Sequence, residues 1–120
     1  MTPVLAFAIL EAAKRTRGAN IMAIFLISFR IQEDSTYEER YESLVDEIKN
    51  EASGSIWDET TSFFIIESNK ASQLLCDDLY DHSQIVDSKD VLLVINLSAR
   101  GYAQRGAQYP NRLSNLMDKR

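Results

Sequence analysis

IMAIFLISFR, residues 21–30, is the stretch whose reading decides the fold. In an extended chain Ala23, Phe25, Ile27 and Phe29 fall on one face, and Ile24, Leu26, Ser28 and Arg30 on the other. Two largely apolar faces describe a strand that is covered on both sides or central in its sheet. The run begins beside a second methionine, Met22, which marks the start of a compact domain body. It ends on an arginine, and strand ends are where α/β proteins often place their working residues.

Upstream, residues 1–21 read as an N-terminal extension. Val4 to Lys14 has the spacing of a short helix, with Leu5, Ile9 and Ala12 or Ala13 along one side, and Gly18 ends it. Two explanations suit it: an extra helix packed on the domain, or translation begun upstream of a true start at Met22. The second is preferred because the strand pattern begins at once after Met22. Lys14, Arg15 and Arg17 follow the apolar Pro3–Leu10 run, the reverse of the order in a secretory signal.

Downstream, Asp34–Ala52 reads as the clearest helix. Ser35 and Glu38 have capping-box spacing, and Thr36 and Glu39 repeat it. Tyr37, Tyr41, Leu44, Ile48 and Ala52 form one core-facing stripe at helical spacing, and Gly54 supplies the stop. Ser55–Ser68 divides into a strand over Ser55–Asp58, a turn at Glu59–Thr60 and a returning apolar strand over Ser62–Glu67. Asn69–Ser83 reads as a second helix with Ala71, Leu74, Leu75 and Leu79 inward, and Ser68 or Asn69 as its cap. Val91–Leu97 is a further strand, apolar on both faces.

The resulting order is βαββαβ over residues 22–98, an α+β chain expected to close as a ferredoxin-like antiparallel sheet with both helices on one face. Residues 99–120 are expected to form a basic-aromatic C-terminal tail ending in a short helix with Leu113, Leu116 and Met117. The sheet face away from the helices then needs cover, from a second copy of the chain or from the tail. Phe63 and Ile65 point to one side of their strand, Phe64 and Ile66 to the other, as that cover requires.

Composition narrows the function classes. The 120 residues suit one domain with a real core, and an apolar fraction of 45% with 26% charged is ordinary for a globular protein. The single cysteine, Cys76, excludes a disulfide framework and offers no metal-ligand spacing. Its simplest reading is a partly buried thiol on a helix in a reducing compartment. Apolar runs of about ten residues fall short of the roughly twenty a membrane span needs, so no membrane is expected and the cytoplasm is the expected location. The net charge of −5 is uneven: residues 32–90 hold 16 acids and 4 bases, while residues 91–120 hold 5 bases and 1 acid. Such an acidic body repels a phosphate backbone unless the basic ends converge on one surface.

The succession MAIFLISF, TYEERYESL, TSFFIIES, a polar helix and DSKDVLLVINL resembles the SinR-like branch of the CRISPR-associated adaptation proteins, small ferredoxin-fold homodimers. The resemblance covers about Met22–Leu97, with a weaker echo in Arg105-Gly106 and the closing helix. It implies a homodimer. In the catalytic members an aspartate ends the first strand just after an aromatic, and one from each subunit meets at the dimer axis. There the pair serves a metal-dependent nuclease. The matching position in this chain, after Phe29, is Arg30. An arginine stays protonated and ligates no Mg²⁺, so the resemblance implies that the family's metal site is missing.

Glu33 and Asp34 follow within four residues and are the candidates to replace it, but helix-start acids have a complete explanation in the helix dipole. His82, the one histidine, lies near Asp77, Asp78 and Asp81 and reads as a surface residue rather than a catalytic base. Neither a phosphate-cradling glycine loop nor a zinc spacing is visible. Arg30 retains a positive role, since an arginine at a strand end can pair with phosphate or carboxylate through two parallel hydrogen bonds. Arg100, Arg105 and Arg112, interleaved with Tyr102 and Tyr109, form the one basic-aromatic stretch. Together with Arg30 they offer a nucleic-acid surface. The simpler alternative has these arginines bridging to the acidic body of a partner subunit.

The sequence therefore favours a non-catalytic homodimer with a binding or assembly role, without a cofactor. Two alternatives remain at this point. One is a Mg²⁺-dependent endonuclease on RNA or DNA with acids from elsewhere; the other is a nucleic-acid-binding regulator using the Arg/Tyr tail. Besides a second copy, the partner classes are nucleic acid and another protein.

Overall fold

The computed structural model describes residues 22–120. The expected extension over residues 1–21, with its helix over Val4–Lys14, lies outside the described residues. The chain is α+β, a five-stranded antiparallel sheet with three helices among the described residues. In chain order these are β1 (Ala23–Arg30), α1 (Tyr37–Glu51), β2 (Ile56–Thr60), β3 (Phe63–Ser68), α2 (Ser72–Asp81), β4 (Val91–Asn96), β5 (Tyr102–Arg105) and α3 (Pro110–Met117). The sheet order is β2-β3-β1-β4-β5. Thus α1 joins β1 to β2 across β3, and α2 joins β3 to β4 across β1, the split βαβ crossovers of a ferredoxin-like fold.

β1 occupies the middle of the sheet, as its two apolar faces require. Phe25, Ile27 and Phe29 are buried on the helix side. They meet Phe64 and Ile66 of β3, Leu92 and Val94 of β4, Leu44 and Ile48 of α1, and Leu75, Cys76 and Leu79 of α2 in one core. Burial of Cys76 is complete, and that burial pushes its thiol up to about 12, leaving no thiolate for nucleophilic or redox work near neutral pH. None of the helices described is long and apolar enough to cross a membrane.

The structure departs from the sequence reading in four places. α2 begins at Ser72 rather than Asn69, and Ala71 and Leu74, expected to face inward, are exposed. β2 runs on to Thr60, so the hairpin turn moves to Thr61–Ser62. With no glycine available, Ser62 takes the left-handed conformation (φ 57°), and the β2–β3 register slips between Trp57 and Thr60. The expected capping box is not made. Asp34 instead accepts the Thr36 backbone N–H at 2.9 Å and the Thr36 hydroxyl at 3.1 Å, closing a turn that delays α1 to Tyr37. Finally, Tyr102–Arg105 is a strand rather than tail. Gly101 and Gly106 bracket it, and it pairs with β4 from Ile95↔Tyr102 to Leu92↔Arg105.

Candidate functional site

The C-terminal end of β1 leads straight into the most heavily connected polar cluster of the described residues. Its centre is Arg40 on α1, only 4% exposed. Arg40, Leu44 and Ile48 stand at successive steps of four, so the arginine occupies the first place of the helix's buried stripe. Its Nη1 donates to Asp90 Oδ1 at 2.5 Å, and its Nη2 donates to Asp34 Oδ1 at 2.6 Å and to the Gln32 carbonyl at 2.8 Å. Its Nε donates to Thr36 Oγ1 at 3.0 Å.

Asp90, at the entry to β4, is fully buried in its side chain. Besides Arg40, it accepts the Gln32 N–H on Oδ1 at 3.0 Å and the Val86 N–H on Oδ2 at 3.0 Å. Asp34 is also held by Lys89 Nζ, 2.9 Å from its Oδ2. A buried ion pair persists only when its polar atoms find partners, and here all three Arg40 nitrogens donate, in four hydrogen bonds, and both Asp90 oxygens accept. The cluster ties the chain leaving β1, the first turn of α1 and the approach to β4 to one guanidinium.

Electrostatics fixes what these groups can do. The Lys89 ammonium and then the Arg40 guanidinium hold the Asp34 carboxyl well below the usual carboxylate range. Asp90 and Asp34 in turn raise Arg40 above its ordinary value. A carboxylate so firmly ionised is a poor general base near neutral pH. Both Asp34 oxygens are already taken, which leaves them poorly placed to ligate a metal. The acid weighed in the sequence as a substitute nuclease ligand is thus a strut of the fold. Glu33 is exposed beside it.

This assignment carries a pH signature. The folded-state pKa of Asp34 lies below the ordinary value of 3.8, so its stabilising pairing is fully present above that value and is lost as pH falls through the folded one. Asp34→Asn is expected to lower Tm at pH 7, and the gap from wild type is expected to close progressively below about pH 4. Thermal melts by circular dichroism across that range check it; a gap independent of pH would contradict the ionic role.

The five residues singled out for nucleic acid do not form one patch. Arg30 is exposed on the sheet face away from the helices, opposite Val91 of β4. Arg105 stands at the same end of the sheet but on the helix face, bonded to Asp77 at 3.2 Å and lying 4.2 Å over the Tyr80 ring. Arg112 stacks on Tyr109, 4.4 Å from its ring centre. Arg100 lies in the β4–β5 turn at the far end of the sheet, where it meets the Asp118 carbonyl at 3.4 Å. Tyr102 faces away from the helices, opposite Ile95. Arg105 does bridge to an acidic body, but that of its own chain.

Sequence reasoning passed over Arg40, Lys89 and Asp90. The signal for Arg40 was present, four residues before Leu44 on a stripe that buries Leu44 and Ile48 completely. Comparison with family models, with curated proteins and with solved structures gave no match.

Proposed function

We propose that this chain is a non-catalytic homodimeric binding or assembly protein on a ferredoxin-like fold, related to the CRISPR-associated adaptation family. One observation carries the reading. On the sheet face away from the helices, strand register sets Trp57, Ile65, Leu26, Ile95 and Tyr102 in a single row across all five strands. Phe63 and Leu93, both opposite Ser28, widen it. Soluble sheets usually carry polar residues on an exposed face, so an apolar row spanning five strands marks an association surface.

A second copy suits this row because an apolar, uncharged stripe is self-complementary about a two-fold axis. Arg30 and Glu67 end the same face at opposite ends of β1 and β3, with Glu67 opposite Ile24. Two sheets stacked end-reversed would set Arg30 against the partner's Glu67. The family relation rests on the order of elements and on the quoted strand and helix sequences. The non-catalytic reading is supported by Arg30 at the strand end and by the commitment of Asp34 to Arg40 and Lys89.

Light scattering at micromolar concentration is expected to give twice the 13.7 kDa chain mass. Leu26→Lys with Ile95→Lys is expected to return the monomer mass with an unchanged far-ultraviolet spectrum. A wild-type mass near 13.7 kDa would overturn the dimer. Cleavage of RNA or DNA by the pure dimer that requires Mg²⁺ or Mn²⁺ and stops on chelation would overturn the non-catalytic part.

A further inference from the structure

We propose that Glu47, Glu51 and His82 form a binding site for a divalent transition-metal ion that clamps α1 to the C-terminal end of α2. One ligand atom from each residue lies within 4.8 Å of the others, a spacing that modest side-chain rotation converts into a shared ion. The glutamates stand four apart on α1 and project from one face. His82 follows directly on α2 as its C-cap, with Nδ1 3.5 Å from Glu47 Oε2.

Three observations together point to a cation. First, the carboxylates are shielded rather than solvated: the side chains of Glu47 and Glu51 are 12% and 10% exposed. Ordinary surface acids do not approach one another under such cover. Second, the negative end of α2 faces this place with no basic residue in its last turn. Third, Lys70, the neighbouring cation, reaches Glu51 Oε1 at 2.6 Å and Asp78 at 2.5 Å. It takes one oxygen of Glu51 and makes no bond to Glu47, and Asp78 keeps it paired.

The donor set decides the class of ion. One imidazole with two carboxylates suits Zn²⁺, Mn²⁺, Co²⁺ or Ni²⁺ better than the all-oxygen preference of Ca²⁺ or Mg²⁺. His82 is 59% exposed in its side chain, so its ring can turn to present either nitrogen and water can complete the coordination shell. The site lies on the helix layer, apart from both the apolar row and the Arg40 cluster, and its role is to brace the two helices.

The test uses the full chain stripped with chelator and titrated with Zn²⁺ by calorimetry, with Co²⁺ absorption as a second probe. Wild type is expected to bind a single Zn²⁺ per chain and to gain Tm with added metal. Glu47→Gln, Glu51→Gln and His82→Ala are each expected to weaken binding at least about tenfold. Asp46→Asn, an exposed acid elsewhere on α1, is expected to leave binding unchanged. Failure of wild type to bind, or binding that survives both Glu47→Gln and His82→Ala, would overturn the site. An equal loss in Asp46→Asn would also overturn it, because diffuse negative charge would then explain the attraction. All three positions lie on helix surfaces, and circular dichroism of the variants confirms that they remain folded.

Discussion

Asp90→Ala is expected to destabilise the fold by about 3–5 kcal/mol, the cost of breaking a buried ion pair from one side. The substitution removes more than a charge partner. The Gln32 and Val86 N–H groups lose their acceptor along with Arg40 Nη1, in a place where the Asp90 side chain is wholly shielded from water. Asp34 stays bonded to the guanidinium at 2.6 Å, which moderates the loss without replacing the two backbone acceptor contacts. Asp90→Asn is expected to cost less, because one amide oxygen can still accept while only the charge is lost. Urea unfolding monitored by circular dichroism checks both, with an unchanged denaturant slope marking a native-state effect. A loss below about 1 kcal/mol for the alanine variant would show that water enters and satisfies the cluster.

The same cluster shows where the sequence was legible and where it was not. The strands and helices were readable because apolar spacing is a local signal: Phe25, Ile27 and Phe29 alternate, and Leu44 and Ile48 stand four apart. The helix ends were less readable, since Ser35 and Thr36 offered a cap in sequence while Asp34 took the Thr36 N–H in space. Arg40 stands on the buried stripe yet was passed over as a core residue, because charged side chains are buried only when partners compensate them. Its partner Asp90 lies 50 residues away, a distance no periodicity spans. β5 was missed for a different reason. Four residues, YAQR, carry too little alternation to announce a strand, and only the β4 edge beside them makes one. The metal candidate was hidden likewise, because only the packing of α2 on α1 brings His82 to Glu47 and Glu51.

Gly106→Ala is expected to cost roughly 2–5 kcal/mol, and the way that cost combines with the Asp90 loss tests how the C-terminal segment joins the domain. Gly106 has φ +77°, a conformation that a side chain strains. A Cβ there would run into the Asp90 carbonyl oxygen and come within 3.0 Å of the Asp87 carbonyl, both backbone atoms that cannot swing aside. Relief requires either the exit from β5 to lift or the Asp87–Asp90 turn to retreat. The second movement drags the Asp90 carboxylate off Arg40, so the two sites share one structural element. The double variant Asp90→Ala/Gly106→Ala is therefore expected to lose clearly less than the sum of the single losses, since the turn is already released once its carboxylate is gone. Strict additivity in urea unfolding would mean that β5 yields instead, leaving the turn and its ion pair untouched. In that case Tyr102, which ends the apolar row on β5, would shift with that strand, and Gly106→Ala would weaken dimerisation as well as stability. Light scattering on the single variant therefore separates the two routes of relief.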